Sequence, residues 1–312
     1  MGAAACTVTI YDERTAPGRY LVTHFTMQPA GTTREPLPPD HTLPVYDTAS
    51  IGPAWWTEAV ELWRYRDLVA QFAARDIKVR YKRSVLGVAW TLLSPLLMMV
   101  VYTLAFRHVF QVESPSYPVF LLSGVLPWTF FAQVTTSAMH QLLGGGSLLS
   151  RIYMPRTAFA VSSIIVGLVN LLLSLVPLFG LMFVTGVPFT GALFWLPVAI
   201  ILMAVFALGF ALIISSLVVR FHDVAEIYQV VLQAWFFWTP ILYPPTLIPG
   251  DQAWRVMTNP MAPLIGLFRE PILDGRSPDG LTLLVTALVA FGTLIIGWVL
   301  FTSRSDELAY RL

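Results

Sequence analysis

Apolar residues in this chain gather into six blocks, at approximately 85–106, 119–139, 158–185, 192–219, 227–243 and 281–301, separated by shorter polar segments. A helix of about twenty apolar residues crosses ~30 Å of hydrocarbon, so the pattern predicts an all-α integral membrane fold with six transmembrane helices. The third and fourth blocks have length to spare for tilt, whereas the fifth is short and ends at Pro240. Ahead of the first block the period changes. Over 57–81, Leu62, Tyr65, Val69 and Phe72 recur at helical spacing while Glu58, Glu61, Arg64, Arg66, Asp67, Arg75 and Lys78 fill the other positions, which predicts an amphipathic helix in the membrane interface. Residues 1–56 are rich in Pro, Thr and Gly without sustained periodicity and read as an irregular N-terminal extension, leaving 57–312 as one transmembrane domain. The proline-rich connection 244–280 is long for a turn and carries an apolar run over 261–267. It predicts short re-entrant helices on the outer side, between helices 5 and 6.

Composition agrees with this reading: 56% of the 312 residues are hydrophobic and 12% charged, against roughly 25% charged in soluble domains. Charge placement then sets the orientation. Arg64, Arg66, Arg75, Lys78, Arg80, Lys82 and Arg83 precede the first block, Arg151 and Arg156 lie between the second and third, Arg220 follows the fourth, and Arg304 and Arg311 follow the last. The opposite side holds only Arg107, Arg255, Arg269 and Arg276, so the positive-inside rule makes the first side, with both termini, cytoplasmic. A net charge of +1 gives no attraction for nucleic acid, and a single cysteine, Cys6, excludes intrachain disulfides and cysteine-based metal sites. The first twenty residues hold Asp12, Glu13 and Arg14 and no apolar run, so no cleavable signal peptide is expected there.

No predicted span contains Asp, Glu, Lys, Arg or His in its interior. Ion-coupled transporters keep such groups in the membrane at ~2.5–3.5 kcal/mol each because they carry the coupling. The sequence also lacks a G-x-x-x-x-G-K-[ST] phosphate loop, its two lysines, Lys78 and Lys82, following no glycine-rich turn. Energy for vectorial transport must therefore come from another subunit docked on the cytoplasmic side. Two short cytoplasmic segments fit as contacts: Leu148–Arg156, and Arg220–Tyr228, where Arg220, His222, Asp223 and Glu226 cluster.

The stretch Arg80-Tyr81-Lys82-Arg83-Ser84-Val85-Leu86-Gly87-Val88-Ala89-Trp90, followed by Leu93-Ser94-Pro95, resembles a signature of the permease subunit of ABC-2 type polysaccharide exporters, which move O-antigens, teichoic acids, capsules and galactan. Four further matches follow in order: Leu148-Leu149-Ser150-Arg151-Ile152-Tyr153-Met154-Pro155-Arg156, Arg220-Phe221-His222-Asp223-Val224, Thr239-Pro240-Ile241-Leu242-Tyr243, and Asn259-Pro260 leading to Phe268-Arg269. His222 stands where the family more often has Arg. The resemblance spans about residues 58–310. It implies a bacterial inner-membrane homodimer paired with two copies of a separate ATPase, which binds the ATP and Mg²⁺, so that this chain is a transport subunit without cofactor or catalytic site. It also implies that Arg75, Lys78, Arg80, Leu148, Arg151, Tyr153 and Arg156 meet the ATPase, supported by Arg220, His222, Asp223 and Glu226.

A long glycan could slide past aromatic faces, which offer apolar contact without fixed hydrogen-bond geometry. Trp128, Phe130 and Phe131 in the second block and Trp235, Phe236, Phe237 and Trp238 in the fifth are the channel candidates, the alternative being interfacial or lipid-facing rings. Lys82, Arg83 and Arg151 are candidates for a lipid diphosphate at the cytoplasmic entrance, beside the alternative that they only anchor the topology. Two competing functions remain open at this point: an ABC-2 permease for a drug or small lipid, and a membrane glycan-transferring enzyme using Asp251, Glu270, Asp274 and Asp279.

Overall fold

A computed structural model describes residues 54–82, 87, 89–106, 115–144, 155–221, 223–244 and 258–303, without the side chains of Ala54, Arg80 and Tyr81. Every regular element among the described residues is helical. They run α1 (Ala54–Arg64), α2 (Arg66–Lys82), α3 (Ala89–Phe106), α4 (Tyr117–Gly144), α5 (Thr157–Thr185), a 3₁₀ turn (Gly191–Trp195), α6 (Leu196–Val218), α7 (Val224–Trp238), α8 (Met261–Leu273) and α9 (Gly280–Thr302). Among the described residues, five stretches are long and apolar enough to cross a membrane: α3, α4, α5, the 3₁₀ turn with α6, and α9. The extension over residues 1–53 lies outside the described residues.

The fifth predicted block, the short one ending at Pro240, stands apart from the others. Its helix, α7, has 15 residues and rises about 22 Å at 1.5 Å per residue, short of a ~30 Å core. The stop is local chemistry: a residue before proline is driven out of the α region, and Thr239, preceding Pro240, is extended at φ −81°, ψ 136°. The Thr239 hydroxyl turns back to the Trp235 carbonyl (2.8 Å) and its own carbonyl accepts from the Ile241 amide (2.7 Å). The chain therefore turns at residues 239–242 and returns through α8. The predicted interfacial helix also differs, being two helices divided at Tyr65 and beginning at Ala54. Its apolar stripe faces protein: Val69 is buried, Leu62 and Phe72 pack on the core, and the Phe72 ring lies 6.1 Å from that of Phe159 on α5.

Helix α4 is the axis of the bundle, buried along its length and packed by α5, α6, α3 and α8. Around it lies one continuous apolar core in which Phe131, Phe206, Phe268, Leu122, Met139 and Leu212 are fully enclosed. Helix α3 is its opposite, burying only Met99. Helix α9 joins the bundle mainly along α6 through a glycine contact: a Cβ on Gly297 would fall on the Gly209 carbonyl, and one on Gly209 would sit 2.5 Å from the Leu294 nitrogen. Such backbone-to-backbone approach is how membrane helices gain van der Waals contact where lipid offers no hydrophobic incentive.

Replacing Gly209 by Leu should separate α6 from α9 and destabilise the protein by about 1–3 kcal/mol, as overpacking does. Gly292→Leu on the same α9, where a Cβ meets nothing within 4 Å, should leave the melting temperature in detergent close to wild type; equal effects of the two substitutions would refute the contact.

Candidate functional site

Polar side chains are scarce in this bundle; besides the Tyr228–Thr135 bond (2.7 Å) between α7 and α4, three groups of them stand out. The first is where the α1–α2 arm meets the bundle. The Glu58 carboxylate accepts from both the Thr157 amide (3.2 Å) and hydroxyl (3.0 Å), placing negative charge at the N-terminus of α5, where unpaired amides and the helix dipole favour it. Farther along the arm, Gln141 of α4 donates to Asp76 of α2 (2.9 Å) and to Ser137 (3.2 Å), and its carbonyl oxygen accepts from Ser162 of α5 (3.2 Å). The Trp298 indole on α9 donates to the Trp55 carbonyl (3.0 Å). Four contacts thus tie the arm to three helices. On its other face Arg75, Lys78 and Lys82 are exposed and line one groove, with Arg75 pairing to Asp76 at 3.2 Å and stacked 5.1 Å over Phe72.

The second place is at the opposite end of the bundle, where α8 closes over the 239–242 turn. Arg269 is buried, and its guanidinium donates to the carbonyls of Pro240 (2.9 Å), Ile241 (3.2 Å) and Phe120 (3.4 Å) while lying 3.8 Å from the Phe120 ring centre. Burial pulls its pKa down to about 9, with Asp274 opposing, so it remains cationic at neutral pH. Gly124 makes room for it, since a Cβ there would fall on the guanidinium. Beside it, Asn259 donates to Thr239 (2.9 Å) and its side-chain oxygen accepts from the Trp235 indole (2.9 Å) and the Met261 amide (3.0 Å). Tyr117 completes the hub by donating to the Leu242 carbonyl (2.9 Å).

The third is a cavity of about 400 Å³ between α3, α4 and α5, lined by Thr91, Ser94, Thr129, Gln133, Asn170 and Ser174 together with Trp90 and Phe130. The aromatic candidates divide around it. Trp128, Phe131 and Phe236 are buried and Trp235 half-buried in a cluster with Phe206 and Phe210, ring centres 5.4–6.0 Å apart. Phe130 is buried at the cavity wall, whereas Phe237 and Trp238 are exposed.

The docking candidates are distributed more widely. Besides exposed Arg75 and Lys78, Arg156 is half-buried immediately before α5, and Arg220, Asp223 and Glu226 are exposed around the start of α7. Leu148, Arg151, Tyr153, His222, Arg83 and the Arg80 side chain lie outside the described residues. Of the diphosphate candidates only Lys82 is described, and it is exposed.

The sequence profile of the ABC-2 type transporter family matches residues 68–273, from within α2 to the end of α8. The chain belongs to that family. The O-antigen export system permease protein RfbA of Myxococcus xanthus is 32% identical over 255 residues, 80% of this chain and 96% of that protein. RfbA of Klebsiella pneumoniae is 29% identical over 247 residues, covering 78% and 93%. The polysialic acid transport protein KpsM of Escherichia coli is 24% identical over 244 residues, covering 75% and 92%. This ABC-2 chain is thus the membrane subunit of a transporter, and its family segment encloses the cavity helices, the 239–242 turn and Arg269.

Three features of the ABC-2 chain escape the sequence reading. Glu58 and Asp76 look like two more charges of an amphipathic helix, although each has a specific partner on the bundle. Arg269 looks like an external charge and is instead the buried centre of a hub. Gln133 and Asn170 could have been found, since each is the lone amide side chain in its predicted span. Arg269→Leu should strand the Pro240 and Ile241 carbonyls at ~1–3 kcal/mol each, lowering the melting temperature of the detergent-purified protein far more than Asn259→Ala. An unchanged melting temperature in Arg269→Leu would show that the turn is held by something else.

Proposed function

We propose that this chain is the membrane subunit of an ATP-driven exporter that carries a lipid-linked polysaccharide, of the O-antigen, teichoic acid or galactan kind, out of the cytoplasm. The observation that carries the reading is the match at 32% identity to 96% of an O-antigen export permease, supported by the shared family of polysaccharide permeases. Spans without an ionisable interior residue favour energy supplied from outside the membrane domain. That energy comes from two copies of a separate ATPase that hold ATP and Mg²⁺. The groove of Arg75, Lys78 and Lys82 on α2 is the part of the arm best exposed for its docking, with Arg156, Arg220, Asp223 and Glu226 as further contacts.

Two such chains form the working unit. The bare face of α3, with Leu97, Val101 and Leu104 exposed, and that of α7, with Val230, Phe237 and Trp238, are apolar surfaces suited to a second copy and to the sliding glycan. Helix α7 acts as the fifth of six spans, and the 239–242 turn with α8 forms the re-entrant element at the outer surface, so both termini are cytoplasmic. Lys82, Arg83 and Arg151 would meet the lipid diphosphate.

The test is reconstitution with the partner ATPase in vesicles, lipid-linked polysaccharide supplied on the ATPase side. ATP-dependent appearance on the other side should require both subunits, and Arg75→Glu with Lys78→Glu should reduce it at least tenfold by weakening ATPase binding. Firm ATPase association without glycan movement would overturn the substrate class.

A further inference from the structure

Helix α2 lies against α5 and touches α4 little. It turns Val69 and Ala73 inward and sets the Phe72 ring against that of Phe159 on α5. Toward α4 it has a polar bond instead. Among the described residues, the 2.9 Å bond that Gln141 donates to Asp76 is the only side-chain hydrogen bond joining α2 to α4. How closely the most buried helix of the bundle follows a movement of the arm therefore depends on this amide.

The amide is held from three sides. A carboxylate only accepts, so the Gln141 nitrogen must face Asp76; it also donates to the Ser137 hydroxyl (3.2 Å), one turn back along α4. Its oxygen is thereby turned toward α5, where the buried Ser162 donates to it at 3.2 Å. Asp76 is shared in its turn: Oδ2 accepts from Gln141, and Oδ1 accepts from the Arg75 guanidinium at 3.2 Å. Arg75 is exposed in the groove it lines with Lys78 and Lys82. One line of polar contacts thus runs from the cationic face of α2 through Asp76 and Gln141 into α4 and α5. The arm's other carboxylate on the bundle, Glu58, bonds only to Thr157 at the head of α5 among the described residues.

We propose that Asp76 and Gln141 are the coupling pair of this transporter: positioning residues that make a displacement of α2, imposed by the ATPase at its cationic face, carry α4 and α5 with it. The inference rests on the reading of the chain as an ATP-driven exporter and adds to it the point where movement crosses from the arm into the spanning helices. Coupling of this kind is a free energy shared between two sites. Here it resides in a half-buried bond that can be broken while the docking face and the apolar core stay as they are.

The test uses the complex of this chain with its ATPase in vesicles and follows both ATP hydrolysis and export of lipid-linked polysaccharide. Gln141→Leu should leave ATPase association and hydrolysis near wild type while glycan exported per ATP falls about tenfold, the loss expected from one hydrogen bond to a charged group. Gln141→Glu, which sets carboxylate against carboxylate, should lower it likewise. Adding Asp76→Asn to Gln141→Glu should restore most of it, because the new amide donates to the new carboxylate. A pin with a merely structural duty would lower hydrolysis, export and melting temperature together. Unchanged export per ATP in Gln141→Leu, a parallel fall in hydrolysis, or no recovery in the double variant would overturn the pair. A second readout needs no glycan. With Cys6→Ser and spin labels at Phe183→Cys on α5 and Leu288→Cys on α9, both exposed positions, ATP should change the distance between labels, and Gln141→Leu should abolish that change. A change in both backgrounds, or in neither, would overturn the pair. A change lost only in Gln141→Leu, with no glycan exported by the wild-type complex, would leave the pair standing and overturn the proposed function.

Discussion

A buried guanidinium held by neutral partners is the constraint on which one end of this molecule depends. Arg269 keeps its proton at physiological pH and is buried, so its terminal nitrogens must find acceptors in the protein, Nε alone staying unpaired. It finds them in carbonyls freed by an interruption: Pro240 and Ile241 lie in the turn that ends α7, and Phe120 is in the first turn of α4. Each side solves the other's problem. Without the cation the turn would leave unpaired acceptors against an apolar bundle, and without the turn the cation would have no ligands. Gly124, Asn259 and Tyr117 then follow as consequences, one by vacating space and two by fastening the same turn from either side.

The arm at the other end obeys a related logic. A carboxylate at the head of α5 and a second carboxylate bound through Gln141 make α1–α2 continuous with α4 and α5, while cations occupy the face turned away. A push on that exposed face would reach α4 and α5 through three polar contacts, and α9 through a fourth. Helix α4 in turn bears on the aromatic cluster and on Arg269, so the two ends are linked through the most buried helix of the bundle.

Much of this fold is legible in the sequence because long apolar runs have little alternative to being helices in lipid. Four of the six predicted blocks coincide with spanning helices to within a few residues, and the first begins only slightly late, at Ala89. The fifth, read as short and ending at Pro240, has a helix that stops at Trp238, because the backbone turns where the block counts residues past the proline. The aromatic candidates show the limit of pattern. A ring buried against Phe206 and a ring left exposed look identical in sequence, and only the packing separates Phe131 from Trp238. Pairing is harder still, since nothing in the neighbourhood of Glu58 announces a partner 99 positions away.

Helix α3 touches the bundle along one edge, and among its eighteen residues only Met99 is withdrawn from the surface. Apart from Met99 and from Leu96, Tyr102 and Phe106, which pack on the core, its side chains therefore contribute little to the stability of the single subunit. A substitution there would pass almost unnoticed in a folding assay on the isolated chain yet could disable the assembled transporter. The choice of residues along α3 thus answers to what it meets in the working machine, whether lipid, cargo or a second subunit, and hardly at all to the fold that carries it.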